Sequence, residues 1–579
     1  MRTPLSLRTA VAGGLATAAA LAPAAARHPA STRGGTSTLT IKGTNMAGQP
    51  DTGDAVFVAN ADQASRFNGP YSVAPFTNGV ARLRNLPDGH YWALGLFNGK
   101  NGSTERLPVL PQFTVSGDTT VHISARAATS RVTVVPPRPA SLVYSTLAVV
   151  RYSATGPPSS QGVTVESGPS AMYVSPVTKL PTVGSIRMVT SQMFGSPGGS
   201  RNPYQYLLEY GSPKGTIPVR EHYVVRRSDL ATVSEVFYRS APKITWSPGT
   251  MQPALNAGGG PWNFTIHTPG SDLVYFGGNL PGFYLRGQYW PGGGLQSGPG
   301  QLGAGNYVPP GRRVTSTWNR YPLHPDANAL FTKRIWYQAV QPSASRAGNT
   351  LRLDVTPFTD NKPGDTGSGY GSYTDSAVTG TYQLDANGKK IAGGNAVTAA
   401  NSGTDLNLTE PLPSGSSDIT FRLTASRSGR GIPLPTSSDT VWTWRSASGP
   451  GSRLPSSWYC WADTAGTGHT CTVQPMMTLE YNVSHLGLNE SAPPGRQAVT
   501  VTAGHLQLAR SARVTGASVS VSFDRGKTWH KTAITPLGHG RFRAAFSAPA
   551  NATVALRTKA ADAAGGSISE TITGAYKTS

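Results

Sequence analysis

The chain reads as an all-β protein built from tandem β-sandwich modules, and three observations predict this. Short runs rich in Val, Thr, Phe and Tyr recur at intervals of roughly 8–12 residues, separated by turn signals such as Asn-Gly and Pro-Asp-Gly. Only 13% of the residues are charged, whereas long helices depend on a denser supply of Glu, Lys and Arg. The 67 glycines and 47 prolines exceed ordinary usage but stay below the ~25–30% of low-complexity disorder. Coiled coils, helical bundles, collagens and disordered tails are thereby excluded, and no long helix is predicted beyond the N-terminal segment.

Residues 1–26 read as a signal peptide, MRTPLSLRTAVAGGLATAAALAPAAA. Arg2 and Arg8 form a basic start, Thr9 to Leu21 an apolar stretch, and Ala24-x-Ala26 a small-residue cleavage site. The absence of an Arg-Arg pair favours the general secretory route. Cleavage there removes Arg2 and Arg8 and lowers the net charge from +22 to +20. No later run approaches the ~18 apolar residues of a membrane-spanning helix. The expectation is a secreted, extracellular product with no membrane span.

Residues 27–38 form a polar, flexible leader. From 39 to 127 the runs TLTIKG, AVFVAN, VARLRNL, HYWALGLF, QFTVSG and TTVHISAR predict a first sandwich. Its turn Leu86-Pro87-Asp88-Gly89-His90-Tyr91 resembles the strand-entry turn of prealbumin-like and carboxypeptidase-regulatory-like modules. Residues 128–250 continue as a β domain in which Ser141–Tyr152, apolar without a 3.6-residue period, reads as a central strand. Arg226-Arg227 is the densest basic step there and reads as a solvated strand edge.

Residues 251–330 are rich in Gly, Pro and aromatics. Trp262, Tyr289 and Trp290 are candidates for an aromatic face that stacks on sugar rings, although buried anchoring of long loops is the commoner use of such residues. A β-sandwich follows over 331–445, and a disulfide-containing β connector over 446–496. Residues 497–579 read as an immunoglobulin-like sandwich. Cys460 and Cys471 are the two cysteines of the chain. In an oxidising compartment they are expected to close a small loop, which loop-closure entropy values at roughly 2.5–3 kcal/mol.

Catalytic signatures are missing from the sequence. A subtilisin-type site needs an orienting Asp, a His base and a Ser nucleophile, and the motifs that carry them do not occur. Neither does the G-x-S-x-G elbow or H-E-x-x-H, and the histidines lack metal-ligand spacing. Two facing carboxylates would suffice for a glycosidase, but no pair stands out among 28 acidic residues. No catalytic, metal or cofactor site is predicted. Ser522-Phe523-Asp524-Arg525-Gly526-Lys527-Thr528-Trp529 matches the Asp-box S-x-D-x-G-x-T-W. Ser522, Asp524, Gly526, Thr528 and Trp529 are expected to build a structural turn. The cations are spread along the chain without a nucleic-acid motif, so specific nucleic-acid binding is not expected.

A longer resemblance is carried by AMYVSPVTKLP, YQYLLEYGSPKGTIPVREHYVVRRSDLATV, LRLDVTPFTDN, GTYQLDANGKKIAGG, VWTWRSA, LPSSWYCWAD and VSFDRGKTWHKTAI, in that order. From about Ser124 to Ser579 the chain resembles the non-catalytic C-terminal region of large secreted actinobacterial subtilisin-like serine peptidases. The peptidase domain of that family is absent, so no catalytic residue carries over. The resemblance implies a non-enzymatic binding or accessory protein whose partners are cell-wall polysaccharide, a secreted protein or a separate peptidase. A secreted hydrolase whose site is unrecognised or lost, and a purely structural extracellular protein, are the alternatives.

Overall fold

The computed structural model describes residues 37–579 apart from 68–72, 100–103, 156–159, 168–170, 199, 201–202, 240–242, 253–256, 259–263, 280–282, 292–299, 303–307, 328–341, 363–365, 369–377, 397–405, 429–431, 448–451, 455–457, 459 and 461–469. The fold is all β. Among the described residues the only helical elements are single 3₁₀ turns, at Ala64–Arg66, Ala125–Ala127 and Arg227–Asp229. Residues 1–26, expected to be a signal peptide, lie outside the described residues, as do most of the expected leader and Trp262.

Two-sided burial organises the N-terminal half. A small sheet of Val80–Leu86, Ser37–Thr44 and Thr119–Ser124 covers one face of an eight-stranded sheet. The strand Ala55–Asn60, AVFVAN, sits inside that larger sheet and is buried at every position. Alternate side chains leave a strand on opposite faces, so the continuous apolar run serves two cores. Val56 and Val58 join Leu39, Ile41 and Tyr91 on one side, while Phe57 and Ala59 join Trp92 and Leu94 on the other. The turn at Pro87 is closed by the Tyr91 hydroxyl, which donates to the Pro87 carbonyl at 2.7 Å. Gly89 has φ +150° there, and a Cβ would meet an Asp62 carboxylate oxygen at 2.6 Å.

The second core rests on a seven-stranded sheet. Its order is Ser160–Ser167, Ser141–Tyr152, Ser185–Gly195, Tyr204–Gly211, Gly270–Gly278, Leu230–Phe237 and Arg313–Trp318. Ser141–Tyr152 is interior, paired on both sides, with Leu147 and Val149 facing Trp92 and Leu94.

The C-terminal half shares one core. A nine-stranded sheet contains Ser416–Arg427, Thr436–Ala447, Ser567–Thr578, Thr553–Asp562 and Val514–Ser522 as successive neighbours. Phe421, Trp442, Trp458, Tyr481 and Tyr576 pack together beneath it. The opposing layer includes the four-stranded sheet Met477–Val483, Gly495–His505, Arg541–Ala548 and Ala533–Gly538.

Strand pairing crosses the boundaries drawn from sequence. Ala171–Val174 pairs in parallel with Thr104–Leu107 across position 127. Gly270–Gly278 lies between Tyr204–Gly211 and Leu230–Phe237 across position 250. Ala344–Ala347 pairs with Thr470–Val473 across 445, and Thr436–Ala447 with Ser567–Thr578 across 496. Each pairing supplies backbone hydrogen bonds to an edge that a self-contained module would leave open.

Candidate functional site

The expected turn and the disulfide are formed. Asp524 accepts hydrogen bonds from the Thr528 hydroxyl (2.6 Å), the Thr528 and Lys527 amides (2.9 and 3.0 Å) and the Ser522 hydroxyl (2.7 Å). The Thr528 side chain, its amide and the Ser522 hydroxyl together hold the Asp524 carboxyl far below the usual carboxylate range. Gly526 has φ +87°, and its carbonyl accepts from the Trp529 indole at 3.0 Å. The Arg557 guanidinium covers the Trp529 ring at 4.0 Å. A carboxylate so fully engaged is a lock for the turn and offers little to a substrate. Cys460 and Cys471 are joined, with Cα atoms 5.9 Å apart, and both are buried in the C-terminal core.

Of the expected aromatic face, Trp262 falls outside the described residues. Tyr289 and Trp290 lie on the strand Phe283–Pro291, opposite Trp246 and Thr245, and their side chains are outside the described set.

A cleft of about 310 Å³ that the sequence reading did not single out lies on one face of the seven-stranded sheet. It arises from register. The parallel pairing of Tyr204–Gly211 with Gly270–Gly278 sets Tyr206 beside Tyr275, and their rings stack with centroids 5.0 Å apart. Tyr204 meets Tyr206 edge-on at 5.7 Å, and the Tyr204 hydroxyl donates to the Pro139 carbonyl at 2.6 Å. On the next strand Thr232 pairs with Tyr275. Arg138 lies over the Tyr204 ring at 3.8 Å and donates to the Tyr275 hydroxyl at 3.3 Å. Arg227, Leu230 and Pro137 complete the wall. Burial pushes the Tyr206 phenol up to about 12, with Tyr275 adding to the rise and Arg138 opposing it. The phenol therefore stays protonated and can donate a hydrogen bond at neutral pH. The alternation Tyr204-Gln205-Tyr206 carried this signal, since residues two apart share a face. The partner Tyr275 is distant in sequence and gave none.

The acid–base groups elsewhere are enclosed. Glu570 accepts from Tyr481 (2.8 Å) and Thr440 (2.9 Å), with the His324 ring 3.4 Å away, and all of these residues are buried. Glu235 and Asp272 are directly opposed on neighbouring strands. Burial raises the Asp272 carboxyl to about 6, and the nearby Glu235 adds to the rise. Glu235 accepts from the Trp318 indole at 2.6 Å, and Gln205 donates to Asp272. Among the described residues no group of three or more His, Cys, Asp or Glu could hold a metal ion. No helix of these residues is long and apolar enough to cross a membrane.

No protein-family model matches the chain, and no curated protein does. Among solved structures, the TIE protein of Bacillus anthracis aligns at 9% identity and a TM-score of 0.12, over 49% of this chain and 50% of its own. This chain thus spans about half the length of that protein. The N-terminal eight Ig domains of Down Syndrome Cell Adhesion Molecule align at 9% identity and TM-score 0.11, over 92% and 84% of the two chains. BcpA, the major pilin subunit of Bacillus cereus, aligns at 8% identity and TM-score 0.09, over 48% and 98%. Superpositions this loose carry no argument about function.

Proposed function

We propose that this chain is a secreted, non-catalytic binding or accessory protein that engages an extracellular polysaccharide. The observation that carries the reading is the cleft in which the half-buried Tyr275 ring, backed by the fully buried Tyr206, lies beside Arg138. Aromatic faces pack against the C–H face of a sugar ring, and the phenols and guanidinium supply donors to its hydroxyls. The Met1–Ala26 segment supports export. The resemblance to the ancillary region of subtilisin-like peptidases supports an accessory role. The test is retention of the purified protein on insoluble peptidoglycan, chitin, cellulose and pectin. We expect retention on at least one, with loss in Tyr275→Ala. Failure to bind any polymer would sink the reading.

One observation favours a hydrolase as the second reading: the opposed Glu235 and Asp272, one of them with a raised pKa, are the residue types of a glycosidase pair. Sugar release from the same polymers, abolished in Glu235→Gln, would establish that activity. Casein cleavage with serine labelling by a fluorophosphonate would instead indicate a peptidase. We expect none of these.

A further inference from the structure

The charge around the cleft carries the reading one step further. Among the residues that line it are two guanidinium groups, Arg138 and Arg227, and no carboxylate. Arg138 is held in place by Tyr204 and Tyr275 and spends one donor on Tyr275, leaving the rest of its five N–H donors for a ligand. Arg227 is exposed, and its guanidinium makes no hydrogen bond or ion pair among the described residues. Asp229 is the nearest acid in sequence. Its carboxylate accepts from Ser228 and acts on Tyr210, and it is not among the groups that line the cleft.

The fold also gathers charge that is scattered in sequence. The Gly311 amide donates to the Leu230 carbonyl, and the Thr232 amide to the Arg312 carbonyl, both at 2.9 Å. These bonds bring the turn carrying exposed Arg312 and Arg313 alongside the cleft wall at Leu230 and Thr232. Desolvated or fixed guanidinium groups grip planar oxyanions through paired N–H donors. A positive rim around them draws anions in from solution.

Resting on the polysaccharide reading above, we infer that the cleft binds an acidic sugar, its ring against Tyr275, which the buried Tyr206 backs, and its carboxylate or phosphate oxyanion held between Arg138 and Arg227. The experiment is calorimetric titration of the full secreted chain with three probes: trigalacturonate, its full methyl ester, and a glycerol-phosphate oligomer. The ester keeps the sugar rings and removes the charge. The phosphate oligomer separates a phosphate source from a carboxylate one.

At least one acidic probe should bind roughly tenfold or more tightly than the ester, and weaken as sodium chloride rises from about 50 to about 500 mM. Arg227→Gln should lose a similar factor with unchanged circular dichroism, because that side chain has no structural partner. Arg138→Lys should retain part of the affinity that Arg138→Gln loses. Equal binding of ester and acid, or an Arg227→Gln protein that binds the acid as well as the parent does, would overturn the inference. In that event retention on neutral polymers, still sensitive to Tyr275→Ala, would leave the polysaccharide reading standing. Absence of binding to every probe and polymer removes both.

Discussion

Asp524 is a half-buried surface residue whose importance comes entirely from what it bonds. Four donors from Ser522, Lys527 and Thr528 converge on one carboxylate, and they favour its charged form. A depressed folded-state pKa contributes stability above the unfolded value, near 3.9 for Asp, and loses it as pH falls through the folded value. Asp524→Asn should therefore lower the melting temperature at pH 7. The gap to the parent protein should narrow as pH drops below about 4. Thermal melts across that range check it, and a gap that stays constant with pH would contradict the account. This turn was legible because its determinants are local: five residues within eight positions. The Tyr206–Tyr275 stack was not, because its partners meet only through a parallel pairing between distant strands.

At the level of elements, polarity told strands from turns, but it could not tell which strands would pair. AVFVAN and SLVYSTLAVVRY read correctly as strands, and their lack of polar alternation already implied burial on both faces. What no local pattern shows is which sheet lies on the second face. For AVFVAN, the chain fills that face with Leu147, Val149, Ile186 and Met188, from strands roughly 90 to 130 residues downstream. This is also why module boundaries placed at composition changes are crossed by hydrogen-bonded pairs. Trp92 tests the two-sided architecture. It is fully buried in the second core and meets Phe57 edge-on at 5.4 Å. Trp92→Ala should cost about 3–5 kcal/mol through the lost contacts and the cavity. If the sheet were open on that side, the cost measured by urea unfolding would fall below about 1 kcal/mol.

For the whole molecule, the question is what holds the two halves together. Part of the joint is polar. The Arg239 amide donates to the Leu488 carbonyl at 2.7 Å, Asn319 donates to the Arg239 carbonyl at 2.8 Å, and Arg320 reaches Asn482 at 2.7 Å. The loop bearing Leu488 also carries Glu490, which is fully buried with φ +62° and, among the described residues, has no donor within hydrogen-bond reach of either carboxylate oxygen. Burial raises this carboxyl to about 8, against the opposing pull of Lys577, Arg239 and Arg427. Its sign is opposite to that of Asp524. The unfolded chain ionises Glu490 near pH 4.3, whereas the folded chain resists ionisation up to about 8. Stability is thus withdrawn as pH rises through that window and levels off above it. Glu490→Gln keeps the shape and removes the charge that burial disfavours. It should raise stability at pH 8 by an amount on the order of a few kcal/mol, and the gain should vanish near pH 4. If Glu490→Gln instead destabilises at pH 8, the three cations outweigh desolvation, and the joint is held by a buried ionic cluster.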